Sequence, residues 1–175
     1  MSSTPIGDHA LLSDCHSSGL VDSSGSVEWL TFPRFDSPAV MARLLDDDAG
    51  HWSIRPTSGF ATPRRYLDDT LVLETTMRTQ PGTVVLTDAL ALWPGNEGHA
   101  LGRDAPHILV RTLACVAGEV EIEVSYRPRP EYGLVVPALS PVEGVWSRAA
   151  ARSGWCSPRR SSWAWPPDPD AVDGC

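Results

Sequence analysis

A chain of 175 residues with 42% hydrophobic content is long enough for one domain with a real core, followed by a tail. Its net charge is −8, and all 14 basic residues are arginine, a balance that argues against nucleic-acid binding, which needs basic patches to neutralise phosphate. The stretch Met1 to Cys15 has neither a basic leader nor a long apolar run, so the sequence predicts no secretory signal, no membrane anchor and a cytoplasmic location.

From Gly19 to about Leu139 the chain reads as short strands divided by turn signals. The first hairpin joins Gly19-Leu20-Val21-Asp22 to Ser26-Val27-Glu28-Trp29-Leu30 through a Ser23-Ser24-Gly25 turn, where glycine supplies a positive φ. Ser37 then looks like an N-cap and Pro38 a first helical residue. Val40, Met41, Leu44 and Leu45 would share one face of a short helix, which Asp46-Asp47-Asp48 and Gly50 would end. A strand is expected at Trp52 to Arg55. Another runs from Thr70 to Thr79, with Leu71, Leu73 and Met77 on one side and Glu74, Thr76 and Arg78 on the other. Pro81-Gly82 turns the chain into Thr83 to Leu92, closing a second hairpin.

Pro94 to Pro106 reads as a loop. The clearest alternation follows in Glu119 to Arg127, which would bury Val120, Ile122, Val124 and Tyr126 and expose Glu119, Glu121 and Glu123. Its expected hairpin partner is His107 to Val116, turned at Ala117-Gly118. No βαβ rhythm is present, so the sequence predicts an all-β fold: an incomplete antiparallel β-sandwich over residues 1–140 with one short helix.

Residues 141–175 change character and are expected to be irregular. Four of the seven tryptophans fall between Val145 and Cys175, among clustered Arg, Ser and Pro, with no alternation of either period. An aromatic, basic binding tail is one reading, but an exposed Trp-rich segment is more often an aggregation liability. A third reading comes from back-translation: the shifted frame gives a Gly-rich turn leading into an apolar, strand-like run, the texture found upstream. The absence of Lys beside abundant Ala, Gly, Pro and Arg fits a GC-rich coding sequence, and a frameshift near Gly144 is the resulting expectation.

Few residues offer chemistry. Cys15, Cys115, Cys156 and Cys175 show no CxxC spacing, so free thiols are expected and no metal site. Asp46-Asp47-Asp48 reads as a solvated helix end and not a cation site, and Asp14 with His16 as a local hydrogen bond, not a ligand pair. Glu119, Glu121 and Glu123 share one strand face and would repel one another, which suits water and not a catalytic pair. Ser37 has no defensible histidine partner as a nucleophile and serves better as a cap. No motif calls for a cofactor. The residual candidate surface is the loop of Arg34, Phe35 and Asp36: the guanidinium fork and the carboxylate could orient a sugar hydroxyl or brace a neighbouring domain, or simply hold each other in a turn.

Six collinear segments resemble glycoside hydrolase family 15 proteins of the bacterial trehalase and glucoamylase-like type. They begin with Ile6 to His16 and Leu20 to Leu30, then Phe32-Pro33-Arg34-Phe35-Asp36-Ser37-Pro38, the most specific, with Leu44-Leu45-Asp46 after it. Arg65-Tyr66 with Asp69 to Thr76, Gly82 to Asp88, and Val110 to Gly133 complete the set, so the similarity spans about residues 5–140. The resemblance implies a front β-sandwich preceding an (α/α) toroid, in which two glutamates act as general acid and base in inverting hydrolysis of α-glucosidic bonds. Nothing in this chain matches those glutamate motifs, so it is expected to be inactive alone and to need a catalytic toroid domain as its partner, with α-glucoside contact only in a full-length context. A free-standing carbohydrate-binding or regulatory module serving a separate catalytic subunit is the alternative. A downstream reading frame encoding only a toroid with its own start would favour it. An active hydrolase on this chain alone is a third reading, which glucose release from trehalose would establish.

Overall fold

The computed structural model describes residues 4–138 and the strand 152–156. Its strands are β1 (Ala10–Ser13), β2 (Ser18–Val21), β3 (Ser26–Thr31), β4 (Ala39–Met41), β5 (His51–Pro56), β6 (Arg64–Tyr66), β7 (Leu73–Arg78), β8 (Gly82–Leu90), β9 (Leu109–Gly118), β10 (Val120–Arg127) and β11 (Arg152–Cys156). They form two antiparallel sheets, one ordered β1-β2-β3-β5-β10-β11 with β4 also on β3, the other ordered β6-β7-β8-β9. The architecture is the expected all-β one.

Period-2 alternation turns one row of each sheet inward, and the rows meet in two apolar clusters. Leu12, Val21, Val27, Leu30 and Met41 of the first sheet pack with Leu73 and Leu90 of the second. Ile54, Val120 and Ile122 likewise meet Met77, Val84 and Leu86. Each such aliphatic side chain contributes roughly 1.5–3 kcal/mol when taken fully out of water.

A charged strut crosses this core. Arg111 on β9 and Asp88 on β8 are cross-strand partners, and both side chains are fully buried. The guanidinium donates to Asp88 Oδ1 and Oδ2 at 2.8 and 3.2 Å, and to the carbonyls of Trp52 and Gly25 at 2.5 and 2.7 Å. Its central carbon lies 5.1 Å from the centre of the Trp52 ring. One side chain of the second sheet thus satisfies backbone oxygens of the first.

The two tight hairpins form as the sequence indicates. Asp22 Oδ1 accepts from the amides of Ser24 and Ser26, while Gly25 takes φ +82° where an added Cβ would meet Met77. In the β7–β8 turn the Thr79 hydroxyl donates to the Gly82 carbonyl at 2.8 Å.

Several expectations need correction. No helix follows Ser37: Ala39 and Met41 are buried on β4, which pairs with β3, and Leu45 is 68% exposed. Strand pairing overrides the helical spacing because it buries this pair directly, and the chain then loops back through Ala42 N to Ala49 O and Arg43 N to Gly50 O. Ser37 caps no helix; its hydroxyl accepts from the Arg34 amide. β9 and β10 are not a hairpin, because β9 pairs with β8 while β10 inserts beside β5 in the other sheet. Leu71 precedes β7 and is 43% exposed. β1 and β6 were not expected as strands, and β11 lies within the stretch expected to be irregular, pairing with β10. The rest of that stretch, and the aromatic-tail reading, lie outside the described residues.

Candidate functional site

The loop between β3 and β4 carries the candidate side chains. Its backbone is closed by Ser37 N donating to Arg34 O at 3.1 Å and Arg34 N donating to Ser37 Oγ at 3.2 Å. This closure projects three consecutive side chains outward. Arg34 Nε and Nη2 donate to Asp36 Oδ1 and Oδ2 at 2.8 and 3.3 Å, with both side chains about 70% exposed. Hydrogen bonding and charge attraction raise the guanidinium's pKa and lower that of the Asp36 carboxyl. Phe35, between them, is 56% exposed. The structure therefore brings Arg34 and Asp36 together, and they engage each other.

Behind the loop sits a polar cluster that sequence reasoning caught only in part. Asp14 is fully buried; Oδ1 accepts from the amides of His16 and Ser17 at 2.9 and 2.6 Å, and Oδ2 from the Ser17 hydroxyl at 2.8 Å. The local bond expected for Asp14 and His16 is thus to the His16 amide. The histidine ring that reaches Asp14 is His107, with Nδ1 3.2 Å from Oδ2, ninety-three residues away. A carboxylate only accepts, so that nitrogen carries the proton. Burial pushes the Asp14 carboxyl up, but the Ser17 and His16 amides, the Ser17 hydroxyl and His107 outweigh it and hold the carboxyl below its ordinary value. His107 also lies 6.3 Å from the rings of Phe32 and His16, so the cluster abuts the loop's root.

On the outer face of the first sheet, a small cleft of about 140 Å³ is lined by Asp22, Glu28 and Asp47 with Arg43 and Arg55. Burial, then the charge of Asp22, raises the Glu28 carboxyl, and Arg43 lies 3.6 Å away. Asp22, however, is spent on Ser24 and Ser26 within its own turn. The volume is below the roughly 300 Å³ at which ligand pockets begin. The cleft therefore does not present two free carboxylates across a disaccharide. Among the described residues no cluster of three or more His, Cys, Asp or Glu is placed to hold a metal ion, Asp46 to Asp48 included. Cys15 and Cys115 are free thiols, while Cys156 and Cys175 fall outside the described side chains. No described helix is long and apolar enough to cross a membrane.

The two antiparallel sheets packed on a shared apolar core define an all-β, sandwich-like protein. The family described as "Trehalase-like, N-terminal" matches residues 1–148, and the chain belongs to that family. It is 40% identical over 160 residues to a trehalase of Mycolicibacterium smegmatis, covering 85% of this chain and 24% of that protein. It is 41% identical over 139 residues to a trehalase of Mycobacterium tuberculosis, covering 73% of this chain and 20% of the relative. Trehalase 1 of Sulfolobus acidocaldarius is 38% identical over 123 residues, 70% of this chain and 19% of that protein. The chain thus spans about a quarter or less of the length of these relatives. No solved structure matches.

Proposed function

We propose that this chain is the non-catalytic leading portion of a trehalase-like α-glucoside hydrolase of the glycoside hydrolase family 15, glucoamylase-like type, acting in the cytoplasm in carbohydrate metabolism. The single observation that carries the reading is the family match over residues 1–148 joined to coverage of only 24% of a 40%-identical trehalase. The general acid and base then reside in a toroidal domain that this chain serves as a scaffold.

Within that reading, Arg34, Phe35 and Asp36 form the contact to the toroid. A protruding aromatic flanked by a self-paired Arg and Asp suits burial against a partner, because the two charges neutralise each other before desolvation. Sugar contact is less favoured, since Asp36 already takes two of the guanidinium's donors. The frameshift reading of the stretch after Gly144 belongs to the same proposal, and sequencing the gene tests it: an alternative frame closed by stop codons just past that point refutes it.

The activity test has two arms. Purified residues 1–175 should release no glucose from trehalose, and measurable turnover overturns the non-catalytic reading. In a chimera carrying residues 1–148 in place of the matching segment of the M. smegmatis trehalase, Phe35→Ala and Arg34→Ala should lower both turnover and the melting temperature. Unchanged values in both variants refute the interface.

A further inference from the structure

The free edge of β9 is the most unusual surface among the described residues. Among the described residues β9 is the longest strand, at 10 residues, and pairs only with β8. Solvent-facing edges in monomeric proteins are normally guarded by Lys, Pro, bulges or short length. β9 contains neither Lys nor Pro, and its register with β8 is regular from Val84–Cys115 to Leu90–Leu109, the one bulge being confined to Val116 near its C-terminal end. Its one charge, Arg111, is turned inward and consumed by Asp88. The exposed row is Val110, Thr112, Ala114 and Val116, with Ile108 just before it, and Val110, Val116 and Ile108 are 42–56% exposed. The inward row is unfinished too: Leu109, Leu113 and Cys115 pack against the core yet remain only half-buried.

We propose that this edge is a self-association surface, on which a second copy of the chain pairs its own β9 antiparallel about a two-fold axis. The strand is self-complementary in that arrangement. An axis through Leu113 places Thr112 opposite Ala114, within the regular part of the strand, and Leu113 opposite itself, so that outward residues meet outward ones and inward residues inward ones. Charge selects the same strip. Each copy carries −8, so two copies repel over most of their surfaces, whereas β9 and its outward neighbours Val85, Thr87 and Ala89 on β8 present no charge. The contact is isologous and closes at two copies, joining the two four-stranded sheets into one and covering the half-buried row of Leu109, Leu113 and Cys115. The inference does not depend on the hydrolase reading.

Sedimentation of residues 1–175 over a concentration series tests the pairing. A two-copy mass that dissociates on dilution is expected. Thr112→Lys, which sets a like-charge ammonium from each copy beside the axis, should weaken the dimer at least tenfold without lowering the melting temperature of the dilute chain. Thr76→Lys, on the same sheet face but on β7, should leave it intact. Val116→Lys, at the end of the edge, serves if Thr112→Lys does not fold, with the same expectation. A one-copy parent across the series overturns the proposal, and a lowered melting temperature of Thr112→Lys in that case places the covering strand in the same chain. A dimer indifferent to the edge lysine, or a larger aggregate that it does not dissolve, also overturns it.

Discussion

Arg111 and Asp88 show how much one buried pair can control. Both side chains are wholly removed from water, and the same guanidinium satisfies the Gly25 and Trp52 carbonyls. Breaking such a pair costs about 3–5 kcal/mol, because the surviving charge stays buried without a partner. Arg111→Met is expected to lose that amount in urea unfolding. Arg111→Lys should recover little, since one ammonium cannot reproduce a fork that reaches four acceptors. The sequence held a readable signal, for alternation turns Arg111 inward with Leu109 and Leu113, and Asp88 inward with Leu86 and Leu90. Two opposite charges at inward positions each call for a buried partner, but that they are each other's partner follows only from the β8–β9 pairing. Asp14 offered no such signal, because its partner His107 is reached only through the tertiary fold. His51 supplies a pH-dependent term: burial first, then the cations Arg43, Arg127, Arg55 and Arg129, push its pKa from 6.5 to about 4. The unfolded chain therefore takes up a proton near pH 6.5 that the folded chain refuses until about pH 4, so stability from this group is complete above 6.5 and falls as pH drops to 4. With solvent screening on a half-buried face, the loss is on the order of 2 kcal/mol. His51→Gln should flatten the stability profile across that window in pH-resolved melts.

At the level of elements, alternation within a strand was legible and the choice of partner strand was not. The β2–β3 and β7–β8 hairpins could be read because their turns carry the Gly25 and Pro81-Gly82 signals next to each pairing. β9 and β10 show an equally good turn at Ala117-Gly118, yet that turn is a corner between sheets. Gly118 makes the corner with φ +66°, in a space where an added Cβ would strike the Pro81 carbonyl oxygen. Gly118→Ala is expected to cost about 1–3 kcal/mol in chemical denaturation. Gly59→Ala, at a site with open space, should be neutral or slightly stabilising. The β4 segment failed differently. Val40, Met41, Leu44 and Leu45 fit a helical face, while Ala39 and Met41 also fit alternation, and four residues cannot decide between periods until β3 offers an edge. The Arg34–Asp36 contact was legible because it is local, one residue intervening.

For the whole molecule, the sandwich class was legible from strand rhythm, and the family from six segments in order along the chain. What lay beyond sequence reading was the distribution of strands between sheets, which decides where the fold is closed and where it is open. β10 sits between β5 and β11, whereas among the described residues β9 ends its sheet. The long-range pairing of β5 with β10 also constrains the order of assembly. His51 and Ser125, 74 positions apart, lie on strands that must meet before the first sheet has a centre. A nascent chain leaving the ribosome can close β2 on β3 and add β5 to β3 early, but the other edge of β5 must wait for β10 while the whole second sheet is synthesised and exits. During that interval the apolar side of the early hairpin has nothing to rest on, which makes translation speed and chaperone supply, more than final stability, the control on yield.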